Sequence, residues 1–140
     1  MKNYLQIYFT AFIVYFVVDA AYQIAFGLRL DDYLFSQAGI KDIFNETVKW
    51  PLSFLIFFIL ISFANLELVI RPAMQRQSMN YALTRSALLG TTVYMNLALP
   101  NIWLIKDYPQ WQLIHFPVTG AAFCMITCAV CVRVFKNRKL

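Results

Sequence analysis

The sequence predicts an all-α integral membrane protein, a four-helix bundle with a short interfacial helix between helices 1 and 2. Of its 140 residues, 61% are hydrophobic and 14% are charged, whereas soluble domains average about 45–50% and about 25%. Four apolar runs each reach the roughly 20 residues that a helix needs to cross a hydrocarbon core about 30 Å thick. The net charge of +5 comes from bases that flank these runs and do not form the surface of a nucleic-acid-binding protein.

Each run is expected to be one helix, and residues 1–140 are expected to form a single membrane domain. In lipid, backbone polar groups are satisfied only in helices or closed barrels. These runs are too long and too continuously apolar for tilted barrel strands. The predicted transmembrane helices cover residues 4–26, 50–70, 82–102 and 113–135.

Four prolines are expected to shape these helices. Pro51 fits the first turn of the second span, where its missing N–H costs nothing, and Pro72 is expected to close the same span. Pro100 and Pro117 fall inside or beside the third and fourth spans. A kink or an early helix end is therefore expected at each of them.

The segment 29–49 is too long for a tight turn and too apolar for a free linker. Ile40, Ile43, Phe44 and Val48 recur at helical spacing, with polar residues on the other faces. This pattern predicts a short interfacial helix that lies on the membrane surface opposite the termini.

The charge distribution predicts the orientation. With four spans, the termini and the second loop share one side, which carries eight bases and one acid, whereas the opposite side carries four bases and five acids. The positive-inside rule then places both termini in the cytoplasm, or in the matrix of a mitochondrion. Trp50, Trp103 and Trp111 fit an aromatic belt on the opposite side. Both a bacterial cytoplasmic membrane and the mitochondrial inner membrane agree with this pattern.

Polar side chains are predicted to meet near one end of the spans. A carboxylate in the middle of a membrane helix costs at least about 2.5–3.5 kcal/mol, so Asp19, roughly 10 Å deep in the first span, requires an explanation. Gln23 lies one turn further along the same face, Asn96 lies at a comparable depth in the third span, and His115 lies at the start of the fourth. Asp19 and His115 are expected either to form a proton-responsive or ion-binding pair or to make interhelical hydrogen bonds of structural value.

At the other end of the second span, Glu67 and Arg71 stand four residues apart, in the favourable order for a helical ion pair. Glu67 could instead meet Arg85 of the third span.

Small residues in the third and fourth spans predict close packing. Gly90 and Gly120 allow two helices to approach closely, within the bundle or with another subunit. Cys124, Cys128 and Cys131 form one stripe of the fourth span. A deprotonated thiol cluster is costly in hydrocarbon, and no fourth metal ligand accompanies the three cysteines, so we interpret them as apolar packing residues.

A motif runs through the second half of the chain. It begins with a glycine, three further residues and a tyrosine. Leu-x-Asn, an aliphatic-basic pair, a proline and, eleven residues later, a glycine follow. Its members are Gly90, Tyr94, Leu99, Asn101, Ile105, Lys106, Pro109 and Gly120. With the acidic motif around Asp19, this pattern resembles a family of small four-helix bacterial membrane proteins of unknown function. Members of that family commonly carry acids where Ala98 and Phe116 stand here. The resemblance therefore implies that any intramembrane chemistry of those acids is lost, which favours a scaffold role.

No phosphate-binding loop, nucleophile elbow or metal-ligand spacing is visible in the sequence. We therefore expect no enzyme activity and no cofactor. The preferred hypothesis is a non-catalytic accessory subunit of a larger membrane complex, such as a respiratory or other energy-transducing assembly. Its expected partners are the lipid bilayer, other membrane subunits and a bound phospholipid, but no nucleic acid. The alternative is a small proton-coupled transporter or permease that acts as an oligomer through Asp19, Asn96 and His115. An enzyme acting on lipid is a third interpretation.

Overall fold

The computed structural model describes residues 2–27, 49–104 and 110–136, and this part of the chain is helical apart from short turns. Helix α1 covers Lys2–Tyr22 and continues as the π-helical turn Gln23–Gly27. Helices α2 (Lys49–Asn65) and α3 (Arg71–Arg76) are joined by the π-helical turn Leu66–Ile70. Helices α4 and α5 cover Met79–Leu104 and Gln112–Val134.

Three helical segments of the described chain are long and apolar enough to cross a membrane, namely Asn3–Phe26, Leu55–Arg76 and Gln112–Val134. The described part of the chain is therefore helical, as predicted, and its long apolar segments are of membrane-spanning length. Helix α4, the predicted third span, has 26 residues and a length of about 39 Å, but Thr84, Arg85 and Ser86 make its first turns polar. The fourth crossing therefore stays a prediction. The predicted interfacial helix lies outside the described residues.

The helices continue through three of the four prolines, contrary to the expected ends. Pro72 does not close the second span, because it falls in the first turn of α3, where a missing N–H leaves no helical bond unmade. The span ends instead at Gln77, which adopts a left-handed conformation with φ 51°. Pro100 and Pro117 both lie inside continuous helices.

Two cores lie at opposite ends of the described helices. We call them the basic end and the aromatic end. The basic end packs Ile7, Ala11, Leu66, Val69, Ile70, Ala73, Ala82, Cys128, Cys131, Val132 and Phe135. The aromatic end packs Tyr15, Phe58, Ile61, Tyr94, Phe123 and Cys124. Because the start of α1 meets the end of α5 at the basic end, α1 and α5 are antiparallel, as are α4 and α5. The three cysteines are buried free thiols within these cores, which confirms their packing role.

Candidate functional site

Helices α4 and α5 touch through their backbones at Gly90 and Gly120. A Cβ atom on Gly90 would lie 2.7 Å from the Ala121 nitrogen and would overlap the Gly120 carbonyl. A Cβ atom on Gly120 would overlap the Tyr94 ring and lie 2.7 Å from the Gly90 oxygen. Only hydrogen fits at either position. The predicted close contact is confirmed, and it lies within the chain.

Tyr94 connects this contact to α1. Its hydroxyl lies 2.7 Å from the hydroxyl of Tyr15, and both side chains are buried. The rings of Phe58 and Phe123 pack edge-on against Tyr15, with centroids 5.7 Å and 6.0 Å away. The two hydroxyls therefore pair with each other among aromatic rings.

Beside this pair lies a small cavity of about 50 Å³, which we call the polar cavity. Helix α1 and its π-helical turn contribute one wall, α5 contributes the other, and Tyr94 of α4 completes the lining. The lining residues are Asp19, Tyr22, Gln23, Tyr94, Gln112, His115, Phe116, Thr119 and Phe123. The structure thus brings together three of the four side chains that were predicted to share a layer: Asp19, Gln23 and His115.

The polar side chains that line the cavity make different interactions. The Tyr22 hydroxyl is hydrogen-bonded to Nε2 of His115, which accepts or donates according to its tautomer. Asp19 is half-buried and interacts electrostatically with the hydroxyls of Tyr15 and Tyr94. Gln112 also lines the cavity and is only 2% exposed.

Asn96, which was predicted to share this layer, does not line the cavity. The Asn96 side chain is exposed, and its Nδ2 donates to the carbonyl oxygen of Thr92 at 2.8 Å. Successive helical residues are about 100° apart. A side chain two positions after the inward-facing Tyr94 therefore points away from the cavity.

The sequence interpretation also missed several members of the site. Tyr15 and Tyr22 stand four residues before and three after Asp19, so all three share one face of α1. Gln112 and Thr119 flank His115 at helical spacing on α5 in the same way. These helical spacings in the sequence could have identified the additional residues of the site.

At the basic end, Glu67 holds two partners. Its Oε2 lies 3.2 Å from Nη1 of Arg71, which confirms the predicted ion pair. Its Oε1 accepts a hydrogen bond of 2.6 Å from the hydroxyl of Tyr4, which ties α1 to the π-helical turn. The alternative pairing with Arg85 is not made, because the guanidinium of Arg85 lies over the ring of Tyr81, 5.5 Å from its centroid.

Four buried side-chain oxygens have no conventional hydrogen-bond partner in the described part of the chain. They belong to Ser62, Asn65, Ser86 and Thr127. The amide nitrogen of Asn65 donates to the carbonyl oxygen of Cys124 at 3.4 Å. The hydroxyl of Ser86 faces the thiol of Cys128, which is a weak partner. Polar groups therefore also lie in the interior away from the polar cavity.

The outer surface of α4 and α5 carries a second, different depression. We call it the apolar groove. It has a volume of about 490 Å³ and is lined by Thr91, Pro117, Val118, Ala121, Ala122, Met125 and Ile126. Small side chains in the groove allow a neighbouring backbone or acyl chain to approach closely.

Apolar helices of membrane-spanning length, with polar side chains gathered in their interior, define a small integral membrane protein. Residues 4–133 match the family model described as Predicted membrane protein (DUF2177), and the chain belongs to that family. This confirms the resemblance to a membrane protein family of unknown function. The matched range includes the Gly90–Gly120 contact and the polar cavity. Comparison with curated proteins gives no match, and comparison with solved structures gives none.

Proposed function

We propose that this protein is a non-catalytic accessory subunit of a larger membrane assembly, such as a respiratory or other energy-transducing complex. The observation that carries the proposal is the packing of α4 on α5. Backbone contact at Gly90 and Gly120 leaves no space between these helices, and the Tyr15–Tyr94 hydrogen bond ties α1 to the pair. Such packing supports a rigid scaffold, because transport by alternating access requires helices that move against each other.

The proposal includes four membrane crossings, with α4 as the third and both termini on the cytoplasmic or matrix side. The antiparallel packing of α1, α4 and α5 supports this arrangement. Charge supports it as well, since Arg71, Arg76, Arg85 and Arg133 lie toward the basic end and positive residues favour the inner side. A test is thiol labelling of Lys2→Cys, with the native cysteines replaced, in sealed right-side-out vesicles. The new cysteine should react only after the vesicles are opened.

We place the partner subunit at the apolar groove, where its transmembrane helix packs. In lipid, helices associate through van der Waals contact at small residues, and Thr91, Ala121 and Ala122 provide such residues here. Much of the remaining outer surface carries large side chains, such as Phe9 and Leu60, which are suited to lipid contact.

The test compares two positions of similar exposure. A photo-crosslinking amino acid replaces Val118 in the groove or Ile13 on α1, which are 62% and 57% exposed. In native membranes, position 118 should give a protein adduct of fixed mass and position 13 only lipid adducts. The adduct should also co-purify at fixed stoichiometry in native mass spectrometry. Lipid adducts alone at both positions, with a lone protomer after gentle solubilisation, would contradict the proposal.

A second candidate function is a proton-coupled permease that acts as an oligomer. The observation that favours it is the polar cavity, in which Asp19 and His115 lie together. In liposomes, pH-dependent solute uptake that is lost in Asp19→Asn would support this candidate. The matched control is Asn96→Leu, which removes a polar group outside the cavity and should leave the uptake unchanged.

A further inference from the structure

We propose that the turn between α3 and α4 binds the phosphodiester headgroup of an anionic phospholipid through Arg76 and Arg85. Three features of this turn lead to that ligand: two guanidinium groups on one aromatic ring, a local excess of positive charge, and an apolar surface one helical turn away. The binding requires only that the basic end lies at a membrane surface, so it is independent of the proposed subunit role.

Arg76 and Arg85 share the ring of Tyr81. Cζ of Arg76 lies 4.4 Å from the ring centroid, and Cζ of Arg85 lies 5.5 Å from it. Because both distances run to one ring, the two guanidinium groups are close neighbours. Both side chains are exposed. A guanidinium held over a ring keeps N–H groups available for a phosphate, which it binds in a bidentate manner.

The charge at this turn favours an anion, because neither arginine has an acidic partner in the part of the chain that the structure describes. Of the two acids there, Asp19 lines the polar cavity. The carboxylate of Glu67 binds Arg71 and Tyr4. Basic groups at the inner ends of membrane helices bind anionic headgroups. An anionic headgroup fits better than a zwitterionic one, since the arginines repel a choline or ethanolamine group.

The surface beside the two arginines is apolar, which favours a lipid over a soluble anion. Leu88 stands three residues after Arg85, on the same side of α4, and is 57% exposed. Met74 and Met79, on either side of the turn, pack partly buried against the core of the basic end. A phosphate at the arginines would therefore place an acyl chain along Leu88, away from the basic end.

A specific site differs from the general attraction between bases and an anionic membrane surface. The general attraction depends on the number of charges near the surface. The proposed site depends on the planar fork of arginine and on the ring of Tyr81. Lysine keeps the charge but lacks the fork, so an exchange of arginine for lysine is not conservative at a bidentate or stacked site. Variants that keep the charge therefore separate the two kinds of binding.

The sample is the purified full-length protein in detergent, titrated with phosphatidylglycerol and analysed by native mass spectrometry. We expect a single phosphatidylglycerol molecule to bind saturably, and more tightly than phosphatidylcholine with the same acyl chains. Glycerophosphoglycerol, which is the same headgroup without acyl chains, should not displace it. Equal binding of the two lipids overturns the proposal, and displacement by the free headgroup at similar concentration overturns the assignment to a lipid.

Three charge-conserving variants locate the binding. Arg76→Lys and Arg85→Lys should each weaken phosphatidylglycerol binding about threefold or more, in line with the loss of one net hydrogen bond. Arg133→Lys is the control, because Arg133 is exposed and contacts no aromatic ring within the described residues; it should bind normally. Wild-type binding by both test variants, or equal weakening in the control, overturns the proposal.

The ring of Tyr81 gives a second comparison at constant charge. Tyr81→Leu should weaken phosphatidylglycerol binding about twofold or more, since an exposed cation–π contact contributes that much, and Tyr81→Phe should not. Arg76 and Arg85 are exposed, so their variants keep the test decisive if Tyr81→Leu folds poorly. Because lipid binding is measured on the isolated chain, its failure is distinguishable from failure of the partner contact at Val118.

Discussion

The hydroxyl groups of Tyr15 and Tyr94 lie 2.7 Å apart and form a side-chain hydrogen bond between α1 and α4. The ring of Tyr94 also fills the space above Gly120, where a Cβ atom would otherwise stand. One tyrosine thus joins three helices, α1, α4 and α5. Stability and the shape of the polar cavity therefore depend on the same side chain.

Removing either hydroxyl of this pair should destabilise the protein, because the other hydroxyl, which is buried, then loses this hydrogen bond. We expect Tyr15→Phe and Tyr94→Phe each to lower the free energy of unfolding by about 1–3 kcal/mol, measured by SDS titration in mixed micelles. The double variant should lose less than the sum of the two. Tyr81→Phe is the control, since the Tyr81 ring contacts Arg76 and Arg85 and should keep doing so. Strict additivity would contradict the pairing.

Any side chain at the Gly90–Gly120 contact should separate α4 from α5. We expect Gly120→Ala to lower the free energy of unfolding by about 1–3 kcal/mol or more, as overpacking does, because the new methyl group meets both a ring and a backbone oxygen. Ala122→Val adds bulk two residues further along α5, on an exposed surface, and should have little effect. Equal stability of the two variants in the same SDS titration would show that the helices separate without cost.

The sequence predicts those features of the fold that depend on length and apolarity, but not those that depend on packing between helices. The spans at the start and end of the chain follow from length and apolarity alone, which are properties of the sequence itself. The π-helical turn Leu66–Ile70 and the helix beyond Pro72 do not follow, because a shift in helical register depends on packing against α4 and α5.

For the candidate site, the sequence predicts how far along each helix a residue lies, but not which face of the helix it is on. Distance along a helix placed Asp19, Gln23 and His115 at one level, and the structure brings them together. Asn96 lies at that level as well but faces outward, because no periodicity in α4 was strong enough to fix which face is inside. Tyr15 and Tyr94 were missed because a tyrosine within an apolar segment is treated as a hydrophobic residue, and the hydrogen-bonding capacity of its hydroxyl is overlooked.

Thr127 should be replaceable at no cost. Its hydroxyl is buried and has no partner in the described chain, and replacing an unsatisfied polar group by an apolar one of the same shape is neutral or stabilising. We expect Thr127→Val to keep or raise the midpoint of thermal unfolding in detergent. The same change at Thr10 removes a hydrogen bond of 2.8 Å to the carbonyl of Gln6 and should not raise it. A clear loss of stability in Thr127→Val would reveal a polar partner for this hydroxyl.

The two partners of Glu67 should differ in value. The ion pair with Arg71 is exposed, 48% on the arginine side, and exposed pairs at this spacing contribute about 0.3–0.5 kcal/mol. The hydrogen bond from Tyr4 is shorter, partly buried and joins two helices, and bonds to charged groups contribute about 1.5–3 kcal/mol. We expect Tyr4→Phe to destabilise the protein more than Arg71→Gln in the same micelles.

Tyr8→Phe is the matched control, because the Tyr8 hydroxyl makes only an exposed bond of 3.3 Å to the carbonyl of Ile59. If added salt removes the effect of Arg71→Gln but not that of Tyr4→Phe, then burial sets the difference. If salt reduces the effects of both variants equally, then both interactions of Glu67 are equally accessible to solvent, and burial does not explain the difference.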